Sequence, residues 1–179
     1  MMIRLASPIT FESIVDGPGL RAVIWTQGCN HNCKGCHNPQ THDKCGGYIE
    51  DSSNVIKQIQ NLKLHRGITL SGGEPFMQSE GLLEIAKACK ENKMDVWAYT
   101  GYTFEELIDK KNSSYFNNLN LLKNIDVLVD GKFIEAKKDI SLKFRGSSNQ
   151  RIIDVKKTLD LKNVYLHEEY MKEDLGIAR

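Results

Sequence analysis

The sequence predicts an α/β fold of mostly parallel strands with helices packed outside them. Short apolar runs alternate with amphipathic segments through the middle of the chain, which is typical of successive strand–helix–strand units. The residues with the most distinctive chemistry follow the predicted strands, at the carboxyl ends where parallel α/β folds place their functional groups. We expect about five or six strands in a single domain, because no linker or repeat divides residues 1–179.

The composition limits the class of protein. The 24 Lys and Arg residues nearly balance the 23 Asp and Glu residues, so no basic surface predicts nucleic acid or an anionic membrane as a partner. The first residues lack a signal-peptide pattern, and no window has the length and apolar content of a membrane span. Five cysteines, an odd number, argue against a disulfide framework and predict a reducing, cytoplasmic location.

The first part of the chain leads to a cysteine-rich loop. Residues 2–11 are predicted to form an initial segment or edge strand, and Asp16–Gly19 a turn. The apolar, partly β-branched run Leu20–Trp25 is the first clear strand. Three cysteines with the spacing C-x3-C-x2-C follow it: Cys29, Cys33 and Cys36. This cysteine loop therefore lies at the carboxyl end of a strand.

Three thiolates this close in sequence can hold one soft metal centre. Structural zinc usually has four ligands in two separated pairs, and His31, His37 and Cys45 do not supply a second pair. An electron-transfer cluster normally uses four cysteines, whereas a 4Fe-4S cluster with three leaves one iron open to another ligand. The open cluster fits the residues best, and Cys45 is predicted to be an incidental thiol.

The next segment alternates between helix and strand. Asp51–Ser53 offers N-cap residues for a helix with one apolar face. The strand Gly67–Leu70 ends in Ser71–Pro75, where adjacent glycines let a ligand approach the backbone closely. This second strand end is therefore a candidate binding turn.

Two further units follow the glycine turn. A helix over Ser79–Asn92 places Cys89 on its core face, where it acts as a small hydrophobic residue. Asp95–Thr100 is the third strand. Thr103 and Glu106 have the spacing of a capping box that begins another helix.

The last third of the chain is less periodic. Asn112–Asn124 is predicted to be a weak helix or a surface loop, and Asp126–Val129 the fourth strand. Asp130 and Lys132, at the end of that strand, form either an exposed ion pair or part of a site. Arg151–Val155 is the candidate fifth strand.

The cysteine motif and its surroundings resemble the radical S-adenosylmethionine superfamily. Asp16–Arg21 is similar to a segment shared by activases of glycyl radical enzymes. Trp25–Cys29 and Arg145–Val155 are similar to segments of activating proteins of anaerobic ribonucleoside-triphosphate reductase. The resemblance spans a core of about residues 11–155, followed by a polar tail over 156–179 that is either solvated surface or a partner contact. It implies an incomplete β/α barrel.

The resemblance also implies the cofactor site. The three cysteines would bind a 4Fe-4S cluster whose open iron binds S-adenosylmethionine. Glu74 would accept a hydrogen bond from the amino group of that cofactor or brace its own loop, and His37 would line the pocket or hold the cysteine loop. Lys132 would lie near the cofactor's carboxylate. Arg145 or Arg151 either pairs with that carboxylate, for which a guanidinium offers a planar fork, or is a surface arginine. The full set expected at the cofactor is Gly35, His37, Gly72, Gly73, Glu74, Thr100, Asp130 and Lys132.

The implied reaction is reductive cleavage of S-adenosylmethionine to a 5′-deoxyadenosyl radical, which takes a hydrogen atom from a glycine of the reductase. A flavodoxin or ferredoxin would supply the electron, and no protein acid or base is required. Three alternatives remain open: an activase of another glycyl radical enzyme, a small-molecule radical enzyme such as a deazaguanine synthase, and a non-enzymatic iron–sulfur or zinc module.

Overall fold

The computed structural model describes residues 1–172, in which one eight-stranded sheet carries helices on one of its faces. The strands are β1 (Met2–Leu5), β2 (Thr10–Ser13), β3 (Arg21–Thr26), β4 (Tyr48–Asp51), β5 (Gly67–Gly72), β6 (Asp95–Tyr99), β7 (Val127–Asp130) and β8 (Arg151–Asp154). The α-helices are α1 (Ser52–Gln60), α2 (Ser79–Glu91), α3 (Phe104–Leu107), α4 (Tyr115–Leu122) and α5 (Val155–Leu161).

The sheet has the order β4-β1-β3-β5-β6-β7-β8, and β2 also pairs with β3. The four central strands β3, β5, β6 and β7 run parallel, whereas the outer pairings are antiparallel. The parallel strands bring four carboxyl ends to one edge of the sheet, and this edge carries the site. The incomplete barrel itself stays a prediction.

The strand count exceeds the expected five or six. Residues 2–13 form two strands instead of one initial segment, and β1 lies between β4 and β3 instead of at the edge. The strand β4 was also not predicted. All of its residues are exposed or half-buried, and its sequence has no alternation of apolar residues that would indicate a strand.

Alternation along the strands gives the sheet two different faces. One face contributes Ile24, Leu70 and Val96 to the core that packs against the helices. On the other face, Trp97 contacts Phe144 at 5.4 Å between ring centroids. This second face is covered by the loop before β8 and by the segment after α5, so we call it the inner face.

The beginning of the tail packs on the molecule, contrary to the expectation of a solvated surface. The Tyr170 ring lies 5.4 Å from the Trp97 ring, and Met171 is buried. The backbone N–H of His167 also donates to the Ile152 carbonyl at 2.7 Å. Residues 173–179 of the tail lie outside the described residues.

Several local predictions are confirmed. Asp51 caps α1 by accepting from the Ser53 N–H, and Thr103 with Glu106 forms the capping box of α3. Cys89 is fully buried in the core, and its burial raises the pKa of the thiol to about 12. Within residues 1–172, no helix is both long enough and apolar enough to cross a membrane.

Candidate metal centre and cofactor cavity

A cavity of about 860 Å³ opens where the parallel strands end. Its volume lies in the range of roughly 300–1,000 Å³ that is common for small-molecule sites. Each central strand contributes to the wall through the segment that follows it: the cysteine loop after β3, Ser71–Gly73 at the end of β5, Tyr99–Gly101 at the end of β6, and Gly131 after β7. The parallel topology therefore brings together segments that are distant in the sequence.

All three predicted metal ligands line this cavity: Cys29, Cys33 and Cys36. Backbone amides already donate to two of their sulfurs, from His31 to Cys29 Sγ at 3.5 Å and from Asn38 to Cys36 Sγ at 3.4 Å. Hydrogen bonds to cysteine sulfurs are one of the means by which proteins set the potential of an iron–sulfur cluster. The donor set and its amide environment fit such a cluster.

The thiols interact electrostatically with one another. Burial raises the pKa of both the Cys29 and the Cys33 thiols, and the neighbouring cysteines add to this shift. The positive charge of Lys132 offsets part of this rise in the pKa of the Cys33 thiol. Because a metal binds the thiolate, assembly of a centre here must release these protons.

Among residues 1–172, no group of three or more His, Cys, Asp or Glu side chains is placed to hold a single metal ion.

Both glycines of the turn after β5 line the cavity, and both are required by close backbone packing. Gly72 has a φ of +99°, which L side chains rarely adopt. A Cβ on Gly73 would lie 2.3 Å from the carbonyl oxygen of Gly28. The glycine turn therefore packs directly against Gly28, the residue that precedes Cys29.

Glu74 is fully buried and braces the site. Its Oε1 accepts from the Phe76 N–H at 3.0 Å and from the Thr100 hydroxyl at 2.9 Å. Its Oε2 accepts from the Gly101 N–H at 2.8 Å and lies 2.9 Å from His31 Nε2. Of the two predicted roles for Glu74, the contacts are those of a brace.

Asp130 and Lys132, both predicted to lie at the cofactor, are not among the residues that line the cavity. The Asp130 side chain is 1% exposed and accepts from Arg151 Nε at 2.9 Å. Arg151 is thus held in an ion pair that Glu105 extends. Lys132 is exposed and affects the site through its charge near Cys33.

The other expected residues lie at or beside the cavity. His37 lines it, and its ring centroid is 5.1 Å from that of Phe133, which also lines it. Gly35 is not on the wall, but its Cβ position would be 3.3 Å from the same phenylalanine ring. Arg145 lines the cavity and donates to the Gln150 carbonyl at 3.0 Å.

Three residues have roles that the sequence did not indicate. His31 was considered only as a metal ligand, yet it contacts Glu74, 43 positions away. His42 lines the cavity, and its buried Nε2 has no hydrogen-bond partner in the part of the chain that the structure describes. Arg21 is fully buried, where it pairs with Asp95 and donates to the Pro18 carbonyl. The one sequence signal for these roles was Arg21 itself, a charged residue within the apolar run Leu20–Trp25.

Comparisons with known proteins agree with this geometry. Residues 15–153 match the family described as a 4Fe-4S single cluster domain. The chain is 37% identical over 147 residues to the anaerobic ribonucleoside-triphosphate reductase-activating protein of Vibrio cholerae, covering 78% of this chain and 90% of that protein. The proteins of the same name from Escherichia coli K12 and Enterobacteria phage T4 are 37% identical over 148 residues and 34% identical over 147 residues. These alignments cover 76% and 77% of this chain, and 90% and 86% of the relatives.

Proposed function

Because this chain belongs to the family of anaerobic ribonucleoside-triphosphate reductase-activating proteins, we propose that it generates a glycyl radical on such a reductase. The observation that supports the proposal most directly is that three half-buried thiols and the glycine turn at the end of β5 line the same cavity. An iron–sulfur carrier would need the thiols but not the cavity beside them.

In this proposal Cys29, Cys33 and Cys36 bind the 4Fe-4S cluster, and S-adenosylmethionine occupies the remaining cavity beside Gly72 and Gly73. When bound, these two groups would supply one-electron cleavage of S-adenosylmethionine and removal of a hydrogen atom from a glycine of the reductase. The protein would hold these groups in position.

The residues of the chain position and shield these groups. The amides that face the Cys29 and Cys36 sulfurs stabilise charge on the cluster. The rings of His37 and Phe133 lie side by side on the wall of the cavity. No side chain on the wall is needed to take up or release a proton.

The mouth of the cavity is where a segment of the reductase would enter. Ile14 and Val15 line the cavity, although 71% and 73% of their surfaces remain exposed. Apolar side chains exposed beside a functional cavity are typical of a protein-binding surface. The proposal also includes an incomplete barrel, a flavodoxin or ferredoxin as electron donor, and a cytoplasmic location.

The experiment that tests the proposed chemistry is anaerobic reconstitution with iron and sulfide, followed by reduction with dithionite and addition of S-adenosylmethionine. We expect 5′-deoxyadenosine and methionine in equal amounts. Protein reconstituted with zinc serves as the control, because zinc has no redox chemistry. Failure of a fully loaded cluster to form 5′-deoxyadenosine would leave only a metal-binding module.

A further inference from the structure

We infer that His31 is a positioning residue that clamps the cysteine loop to the ends of β5 and β6 through Glu74, and that Glu74 does not itself bind the cofactor. The inference rests on the proposed function only for the identity of that cofactor. The contacts that carry it lie within the protein chain.

Glu74 has no remaining capacity for a ligand. A carboxylate offers about four acceptor positions on its two oxygens, and Glu74 uses four, two on each oxygen. Its side chain is fully buried and is absent from the cavity wall, whereas the adjacent Gly72 and Gly73 line it. An ammonium group could bind Glu74 only by displacing a donor that the structure already provides.

His31 is held on three sides. Its side chain is 5% exposed, and Nε2 donates to the Glu74 carboxylate at 2.9 Å. The ring lies directly over Gly101, where a Cβ would come within 2.3 Å of His31 Cδ2. The Tyr102 ring packs edge-on at 4.5 Å, and the Tyr102 hydroxyl accepts from the Asn30 side chain at 2.7 Å.

The position of His31 in the sequence makes this clamp important for the cysteines. It lies two residues after Cys29 and two residues before Cys33. Its backbone N–H donates to Cys29 Sγ while its side chain is fixed to Glu74. Since Glu74 is also fixed to Thr100 and Gly101, one network connects the segments that follow β3, β5 and β6. Hydrogen bonds to a charged group in such a buried site are among the stronger ones.

The test compares four single variants and one double variant of the reconstituted protein. His31→Ala removes the clamp, His31→Gln keeps a donor of similar reach, and Glu74→Gln replaces two acceptor positions with an amide nitrogen. Lys34→Ala is the matched control, because it lies in the same loop but is 90% exposed in a surface ion pair. Circular dichroism and the unfolding midpoint confirm that each variant folds.

Three quantities are measured under anaerobic conditions: hydrogen exchange of residues 29–38, the rate of iron release to a chelator, and the Kd of S-adenosylmethionine by equilibrium dialysis. We expect His31→Ala to accelerate exchange and iron release by on the order of tenfold, as loss of a hydrogen bond to a charged group implies. Glu74→Gln should do the same, whereas His31→Gln should recover much of the effect and Lys34→Ala should match the wild type. The Kd should rise in parallel with iron release.

The double variant His31→Ala/Glu74→Gln should release iron no faster than Glu74→Gln alone, because both changes remove one network. The inference is overturned if Glu74→Gln raises the Kd while exchange and iron release stay at wild-type values, since Glu74 would then act on the cofactor directly. It is equally overturned if His31→Ala behaves like Lys34→Ala. Exchange and iron release need no cofactor cleavage, so a wild-type protein that forms no 5′-deoxyadenosine would refute the proposed function alone.

Discussion

The five cysteines differ at the residue scale in what surrounds them. Cys29, Cys33 and Cys36 line the cavity, whereas Cys45 is exposed away from it and Cys89 is buried in the core. Replacement of Cys33 by Ala should abolish cleavage of S-adenosylmethionine, because the cluster would lose one of three ligands. Cys45→Ala and Cys89→Ala should retain it. Iron content and 5′-deoxyadenosine formation measure both effects, and an active Cys33→Ala protein would refute the ligand assignment.

A second residue-scale prediction concerns pH. A hydrogen bond from Arg151 lowers the pKa of Glu105 below its usual value. A carboxyl group with a depressed pKa in the folded state adds stability above its unfolded pKa of about 4.3, and this contribution is lost as the pH falls through the folded value. Glu105→Gln should therefore lower the free energy of unfolding at pH 7 by up to about 1 kcal/mol, since the pair is partly exposed.

Urea unfolding at a series of pH values measures this effect. The difference between wild type and Glu105→Gln should shrink as the pH falls below about 4. Glu84→Gln is the control. Glu84 lies in α2, where it forms an exposed ion pair with Lys87 one turn further along that helix. A pH-independent difference would show that Glu105 stabilises the protein by packing instead of by charge.

The short motifs of the site could be predicted from the sequence, whereas contacts between distant residues could not. The cysteine spacing and the glycine turn were recognisable because each lies within a few residues. The contact between His31 and Glu74 joins residues 43 positions apart, and the pair of Arg151 with Asp130 joins residues 21 apart. Such contacts depend on how distant segments pack in the folded chain, which a motif of a few residues does not specify. The sequence therefore placed Asp130 at the cofactor without indicating its ion pair with the half-buried Arg151.

At the element scale, the contact between the end of β5 and the segment after β3 determines the shape of the site. Gly73→Ala would place a methyl group 2.3 Å from the Gly28 carbonyl oxygen, and a backbone atom cannot move aside as a side chain can. We expect a loss of stability of about 1–3 kcal/mol, as for other overpacked positions. The displaced cysteine loop should also hold less iron after reconstitution. Wild-type stability and iron content in this variant would show that the close contact is dispensable.

Elements with strong periodicity were predicted well, and the others were not. Helix α2 and strands β3, β5, β6 and β7 have buried faces, and the sequence located them within a few residues. Residues 112–124, for which the sequence left a weak helix or a surface loop open, contain α4. The strand β4 has only exposed or half-buried residues, so it had no signal. The direction of β8 was not predictable, because it depends on the irregular loop of about twenty residues between Asp130 and Arg151.

Across the whole molecule, Tyr170, in the part of the tail that the structure describes, completes the inner face of the sheet. Trp97, Phe144 and Tyr170 form a triangle of edge-on rings with 5.4 Å between each pair of centroids. Aromatic pairs of this kind contribute about 0.5–1.5 kcal/mol each beyond their buried area. Tyr170→Ala should therefore lower the free energy of unfolding by about 2 kcal/mol, measured by urea unfolding. An unchanged midpoint would mean that the tail adds no stability.

The parallel strands, the inner face and the open mouth together support one account, in which a cluster and S-adenosylmethionine act on a partner protein. The most direct test mixes the reduced, reconstituted protein with S-adenosylmethionine and an anaerobic ribonucleoside-triphosphate reductase, and records the electron paramagnetic resonance spectrum. We expect a glycyl radical doublet that is absent when Cys33→Ala replaces the wild-type protein. A spectrum without the doublet, from a sample in which 5′-deoxyadenosine forms, would contradict the assignment of the reductase as the substrate.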